Sequence, residues 1–309
     1  MMSNKAKLIV ILGPTASGKT ELAVKLAKKL ALSKIEGFNG VEIVSADSRQ
    51  IYKEMNIGTG KITKKEMEGI PHYLLDVVSP KRHFSVSQYQ KLVYKNISKI
   101  LKKPTVHTQG KIPFLVGGSP FYIYSVVEGW LFPKMKPDWK LRKELEKKSK
   151  EELFLILKKV DRERAKTIEK ENKRRLIRAI EIAETFGKIP KLKKKPQFLS
   201  LLIGIKKRRE ELKKRISKRV NKMIELGLEK EVGKLVKKYG WIPLLQTIGY
   251  GEWLPYFEGR VNKKEVEEKI KKNTFQFAKR QMTWFKRDKR IKWIKNYREA
   301  EILIENFIK

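Results

Sequence analysis

"GPTASGKT", Gly13 to Thr20, lies between the apolar run "KLIVIL" (7–12) and "ELAVKLAKKL" (21–30). A short β-branched run that stops at glycine reads as a buried parallel strand. Beyond the loop, Leu22, Ala23, Leu26, Ala27 and Leu30 recur at helical spacing. Gly13, Gly18, Lys19 and Thr20 thus satisfy G-x-x-x-x-G-K-[ST] in the strand–loop–helix setting the motif requires. Glycines let backbone N–H groups converge on phosphate oxygens, and the following helix adds the partial positive charge of its N-terminus. Lys19 neutralises a terminal phosphate, and the Thr20 hydroxyl is the expected protein ligand for Mg²⁺, the expected cofactor.

Further strand candidates are "VEIVSAD" (41–47), "HYLLDVV" (72–78), "IPFLVGG" (112–118) and "FLSLLIGI" (198–205), with "WIKNY" (293–297) as a short one. "SVSQYQKLVYKNISKILKK" (85–103) reads as a helix with Ser85 or Ser87 as N-cap. Strands alternating with helices argue for an α/β fold, a parallel doubly wound sheet flanked by helices like that of P-loop NTPases. The texture changes near Trp130, where prolines and short charged helical stretches begin; "NKRRLIRAIEIAETFG" (172–187) closes on Gly187 as C-cap. The expected layout is a catalytic core of 1–124 and 198–309 with a small helical insertion at 125–197.

The 309 residues, 40% hydrophobic, suffice for such a core. The longest apolar runs are far too short to span a bilayer, and "MMSNKAK" enters a strand without a signal region. A cytoplasmic chain with no membrane association is expected. With no cysteine, disulfides, thiolate metal sites and thiol nucleophiles are excluded. His72, His83 and His107 are too scattered for a zinc site. Lys and Arg number 73 against 34 Asp and Glu, a formal charge of +39. That excess points to a polyanion such as nucleic acid, with a Lys-rich proteome as the other source of such charge.

A nucleotide-hydrolysing enzyme of this class carries an acid at the end of a later strand to hold Mg²⁺. Asp76 is a candidate, or else a structural strand-end residue, and "IPFLVGG" ends without an acid. The loop is therefore free to bind phosphates as a leaving group. "SADSRQIY" (45–52) is the second signal. Carboxyl ends of strands face the crevice of open α/β sheets, which puts Asp47 near the loop. A carboxylate is repelled by phosphate there and suits removal of a proton from a nucleophile opposite the leaving group. The same pattern also fits an Asp that caps the next turn.

Loop and "SADSRQIY" together resemble the tRNA dimethylallyltransferases, also called tRNA isopentenyltransferases. "MNIGTGK" (55–61), "PHYLLDVVSP" (71–80), "FSVSQY" (84–89), "PFLVGGSPFYI" (113–123), "NKRRLIRAIEI" (172–182), "RISKRVNKMIELGLEKEV" (215–232), "QTIGYGEW" (246–253) and "NTFQFAKRQMTWFKR" (273–287) continue the likeness in that family's order. The resemblance implies that Gly13, Pro14, Thr15, Ala16, Ser17, Gly18, Lys19 and Thr20 hold the diphosphate of dimethylallyl diphosphate. The prenyl group then passes to N6 of the adenosine at tRNA position 37, beside the anticodon, and pyrophosphate leaves. It implies Asp47 as general base, Lys19 and Thr20 as catalytic, and Arg215 or Arg219 as the diphosphate-contacting arginine. It also implies tRNA contacts from Asp47, Ser48, Arg49, Gln50, Ser119, Arg174, Arg175, Leu176, Ile177 and Arg178, with the insertion gripping the anticodon stem-loop of a tRNA bound by a monomer.

The chain departs from the family pattern in three places. Ser119-Pro120 stands where "TG" is usual, so a backbone N–H is lost; Phe275 stands where Arg is common; and no zinc-finger extension follows "KWI", as in bacterial members. "AKRQMTWFKR" (278–287) is open between core and RNA contact, with Trp284 and Phe285 at a helical spacing that more often means core. The main alternative is an adenylate isopentenyltransferase acting on free AMP, ADP or ATP, which shares loop and Asp. A metabolite kinase and a non-catalytic RNA-binding protein rank lower. The charge and the helical insertion favour a tRNA acceptor.

Overall fold

In a computed structural model describing residues 5–32, 40–102 and 110–309, the apolar run before the phosphate loop forms β1 (Lys7–Leu12), buried from Leu8 onward. The loop leads into α1 (Lys19–Leu32). β2 (Val41–Ala46) is buried throughout, and then come the single-turn α2 (Lys64–Met67), the two-residue β3 (His72–Tyr73) and α3 (Val86–Leu101). β4 (Ile112–Gly117) and α4 (Pro120–Val127) complete the first half. β5 (Trp130–Leu131), α5 (Trp139–Glu146), α6 (Lys150–Val160), α7 (Arg162–Thr167), α8 (Lys173–Phe186) and β6 (Lys193–Lys194) come next. The chain ends with β7 (Leu199–Ile205), α9 (Arg209–Glu225), α10 (Leu228–Tyr239), α11 (Leu254–Phe257), α12 (Lys263–Phe285), β8 (Lys292–Ile294) and α13 (Tyr297–Ile308).

β3, β2, β4, β1, β7 and β8 pair in that order, every neighbour parallel. Ile9, Ile11, Phe114 and Ile203 are fully shielded in a core shared with the apolar faces of α1 and α13. Each such side chain contributes about 1.5–3 kcal/mol relative to exposure. Register decides where the site forms. Leu12 aligns with Gly117, and Gly117 with Ala46, so the phosphate loop, Asp47 and Gly118–Ser119 all leave the sheet at one edge.

The structure departs from the sequence expectations at several elements. Only His72–Tyr73 of "HYLLDVV" joins the sheet, because Leu74 (φ 64°) and Asp76 (φ 55°) turn the backbone out of the extended region. The N–H groups of Asp76, Val77 and Val78 bond instead to the carbonyls of Gln50 and Ile51. "WIKNY" contributes Trp293 and Ile294 to β8, while Asn296 caps α13. Ser85, not Ser87, caps α3, in a reciprocal box with Gln88.

The chain divides into two compact units, Met1–Gly129 with Pro196–Lys309, and Trp130–Lys195. α4 runs to Val127, past the 124/125 boundary read from sequence. The smaller unit packs Leu145, Leu153, Leu157, Leu176 and Ile180 from α5, α6 and α8 into its own core. Among the described residues no helix is long and apolar enough to cross a membrane.

Gly117 is required by close approach: a Cβ there would lie 2.2 Å from the Ala46 carbonyl oxygen. Gly117→Ala is therefore expected to destabilise the chain by about 2–3 kcal/mol in denaturant unfolding. An unchanged midpoint would show that β2 and β4 part freely at this edge.

Candidate active site

The loop folds tightly over the end of β1. Gly13 backs onto β7, where a Cβ would sit 2.7 Å from the Ile205 carbonyl oxygen, and its φ of 153° suits glycine. Ala16 is held at φ 61°, a strained conformation for a residue with a Cβ. The Ser17 N–H closes the turn on the Pro14 carbonyl at 3.3 Å. The Ser17 hydroxyl is buried without a partner. Lys19 Nζ donates to the Pro14 carbonyl at 2.6 Å. Burial, then the charge of Arg219, lowers the Lys19 pKa to about 7, against the opposing pull of Asp47. An uncompensated cationic site of this kind favours an incoming anion.

Asp47 follows β2 and is held by its own turn: Oδ1 accepts the N–H of Arg49 at 2.8 Å and of Gln50 at 3.2 Å. The Ser48 N–H donates to Ser119 Oγ at 3.1 Å. Ser119 is also the N-cap of α4 but makes no side-chain cap bond, since its hydroxyl serves Ser48. Pro120 takes the first position of that helix, where no intrahelical N–H is needed, so the substitution costs no helix bond. Arg49 Nε donates to Thr247 Oγ1 at 2.9 Å, and Gln50 Nε2 to the Gly60 carbonyl at 3.0 Å.

Lys19, Thr20, Asp47, Gln50 and Arg219 line one cavity of about 90 Å³. A broader hollow of about 990 Å³ also reaches Lys19, Thr20 and Arg219 and adds Arg215 and Lys218. The loop is thus approached from two sides. Of the two candidate arginines, Arg219 is the one in the small cavity, its Nη2 donating to the Thr59 carbonyl at 3.0 Å. Burial lowers its pKa from the usual arginine value. Arg215 lines only the broader hollow and pairs with Glu211 at 2.9 Å.

Sequence reasoning does not single out Gln281. Its Oε1 accepts the Thr15 N–H at 2.8 Å, and its Nε2 donates to the Gly118 carbonyl at 2.6 Å, tying the phosphate loop to the end of β4. The one available signal is a glutamine in helical register with Ala278 and Phe285, both buried.

The oxygen-bearing side chains lining the small cavity are the hydroxyls of Thr15, Thr20 and Ser45, the amides of Gln50 and Gln281, and one carboxylate, Asp47. Among the described residues no group of three or more His, Asp or Glu could hold an ion by itself. Hard oxygen donors with a single carboxylate beside a phosphate site fit Mg²⁺, which keeps waters and is completed by substrate phosphates. Asp76 does not belong to this set: it pairs with Lys61 at 2.6 Å, the structural reading. His72 Nδ1 lies 2.8 Å from the Ile70 carbonyl oxygen, and burial lowers its pKa. His107 lies outside the described residues.

In the helical unit the expected RNA-contacting run splits by face. Leu176 and Ile177 are 0% and 5% exposed and belong to that unit's core, which corrects their assignment as contacts. Arg174 and Arg175 are exposed, Arg175 pairing with Glu169 at 2.6 Å. Arg178 and Arg142 both bond the buried Glu181. In the larger unit, Phe285 is fully buried while Trp284 is 38% exposed. Phe275 does not leave its surroundings without cations: Arg209, Lys213 and Lys279 stand 5.8, 5.8 and 5.5 Å from its ring centroid.

The sequence profile of the IPP transferase family matches residues 50–288. The tRNA dimethylallyltransferase of Halothermothrix orenii is 41% identical over 325 aligned positions, covering 99% of this chain and 94% of that protein. The enzyme of the same name from Acetivibrio thermocellus is 43% identical over 300, covering 93% and 91%. The solved tRNA isopentenylpyrophosphate transferase of Bacillus halodurans superimposes with a TM-score of 0.71 at 35% identity, covering 98% of this chain and 96% of that one. A eukaryotic dimethylallyltransferase acting on tRNA gives 0.74 at 29% identity, covering 91% and 70%.

The state of Lys19 is directly measurable. In lysine-labelled protein without ligand, one side-chain NMR resonance should titrate near pH 7, and it should be missing in Lys19→Arg. Bound pyrophosphate favours the ammonium form and should move that midpoint above about 9. Affinity for the anion should therefore fall as pH rises through 7, since a proton must then be taken up. A Lys19 midpoint near the ordinary lysine value would contradict the buried, charge-crowded site.

Proposed function

As this chain belongs to the IPP transferase family, we propose that it transfers the dimethylallyl group of dimethylallyl diphosphate to N6 of the adenosine at tRNA position 37. The observation that carries the reading is that Lys19 and Asp47, from the ends of neighbouring strand pairs, face one small cavity. A cation for the leaving group and a base for the nucleophile are what an in-line displacement needs.

In this mechanism the loop N–H groups, Lys19 and Arg219 take the diphosphate, with Arg215 at the outer mouth. The N6–C1 bond forms as the C1–O bond breaks, and the electron pair leaves on the former ester oxygen, which becomes a terminal oxygen of pyrophosphate. Asp47, with Oδ1 held by two backbone N–H groups, orients the amine and accepts its proton. Mg²⁺, held by Thr20 and the diphosphate oxygens, would supply further neutralisation of the leaving group. Nothing is hydrolysed.

The target base reacts only when unstacked, so it enters the cavity extruded from its loop. Ser48, Arg49, Gln50 and Ser119 surround the Asp47 turn and are the proposed contacts to it. Arg174, Arg175 and Arg178 are the proposed contacts of the helical unit. The +39 charge and that unit favour tRNA over a free nucleotide.

Labelled dimethylallyl diphosphate with Mg²⁺ and unmodified tRNA, AMP or ATP tests the reading. Label is expected only in tRNA, beside the anticodon; label in AMP or ATP would reassign the acceptor. Asp47→Ala should lower transfer by about 10²-fold or more while leaving tRNA binding largely intact. Near-normal turnover in that variant would remove Asp47 as base. Thr20→Ala should weaken donor use in a way that added Mg²⁺ partly restores, and an unaltered Mg²⁺ dependence would remove Thr20 as ligand.

A further inference from the structure

"MNIGTGK" (55–61) and "QTIGYGEW" (246–253) take no direct part in the chemistry above, yet they meet at one carboxylate. Glu231, on α10, reaches into the turn at 56–58. Its Oε2 accepts the N–H of Asn56 at 3.1 Å and of Ile57 at 2.8 Å, and its Oε1 the N–H of Gly58 at 3.1 Å. Tyr250 Oη donates to the same Oε1 at 2.7 Å. Consecutive amides converging on one anion are a phosphate-type cradle, here filled by the protein's own side chain.

The fit is close. A Cβ on Gly58 would lie 2.5 Å from Tyr250 Cε2, and one on Gly249 2.9 Å from the Gly58 carbonyl oxygen. Tyr250 is fully buried, and burial with the Glu231 charge holds its phenol far above the ordinary value, so it remains a donor.

The opposite side of this loop faces the phosphate site. The Thr59 carbonyl accepts from Arg219 Nη2 at 3.0 Å, and the Gly60 carbonyl accepts from Gln50 Nε2 at 3.0 Å. Gly60 leaves no space beside the guanidinium, since a Cβ would lie 1.9 Å from Arg219 Nη2. Lys61 ties the loop's end to the Tyr52 carbonyl and to Asn56 Oδ1, at 2.8 and 2.9 Å. Lys19 and Arg219 line one cavity, so before any anion arrives two basic side chains crowd each other there. A long guanidinium side chain with an open hollow beside it moves away unless something holds it. The Thr59 carbonyl holds it, and Glu231 holds the turn at 56–58 that leads into Thr59.

We infer that Glu231 is a positioning residue for the donor's diphosphate, acting through the 56–60 loop to keep Arg219 beside Lys19. The inference rests on the reading of loop 13–20 as the diphosphate holder.

The test is a binding cycle on the full chain with inorganic pyrophosphate and Mg²⁺, read by calorimetry. Glu231→Gln keeps the size but turns an NH₂ towards backbone donors, and should weaken pyrophosphate by about tenfold with tRNA affinity unchanged. Tyr250→Phe removes one of the four donors and should shift affinity the same way by about threefold. Because Glu231 acts through Arg219, Glu231→Gln should add nothing to the loss caused by Arg219→Ala. If Glu231→Gln does not fold, Tyr250→Phe carries the same cycle. Losses that multiply independently, or wild-type affinity in both single variants, would overturn the positioning role. Pyrophosphate binding by the unaltered protein is the separate check: its failure would remove the donor reading, whereas its presence with a multiplicative cycle would remove only the role of Glu231.

Discussion

The row of the sheet that joins Leu12, Gly117 and Ala46 is the constraint on which the site depends. Parallel pairing brings three strands to the same edge, and each of them runs on into a functional segment. The phosphate loop continues β1, the Asp47 turn continues β2, and Gly118–Ser119 continues β4. Because Gly117 carries no Cβ, the Ala46 carbonyl comes close enough for the segments after β2 and β4 to bond. The Ser119 N–H then reaches Ala46, and the Ser48 N–H reaches Ser119. A slip of one residue would turn every core side chain of the strand to the other face, so the hydrophobic core enforces the alignment that the chemistry requires.

On this rigid edge the electrostatics are arranged against the empty state. Lys19 is desolvated and faces another cation, Arg219, with Asp47 as partial compensation. That crowding disfavours the charged lysine until an anion arrives, which is how a site stores affinity for phosphate. The restraints around it are neutral or anionic tethers. Gln281 holds the loop backbone, the Thr59 carbonyl holds Arg219, and Glu231 holds the loop that carries Thr59. Donors and carbonyls fixed in advance need not reorganise as charge develops on the leaving oxygen.

Local chemistry made much of this legible in the sequence. A β-branched run, a glycine loop and a helical repeat after it left little choice for residues 7–30. Ser85 with Gln88 three residues on is a capping box readable from spacing alone, although Ser87 competed with it. Errors arose where burial or backbone reversal overrode pattern. "HYLLDVV" has strand composition, but two residues with positive φ turn it away after Tyr73. In "RRLIR" one helix presents arginines to one side and Leu176 and Ile177 to its core, and a motif read as a block does not separate faces.

The sequence by itself determined the phosphate loop, the parallel α/β core, the helical insertion and the likeness to a tRNA-modifying family. Each is written in short-range spacing or in the order of recognisable segments along the chain. Only the tertiary structure separated the two arginines, one helical turn apart on α9: Arg219 lines the small cavity, whereas Arg215 lines only the broader hollow beside Gly18. It also decided that Asp76 serves Lys61, and that Gln281 holds Thr15 across 266 residues of chain. Those partners are set by the closing of the sheet and the docking of α9, α10 and α12, and no local rule of spacing encodes a hydrogen bond between segments that distant.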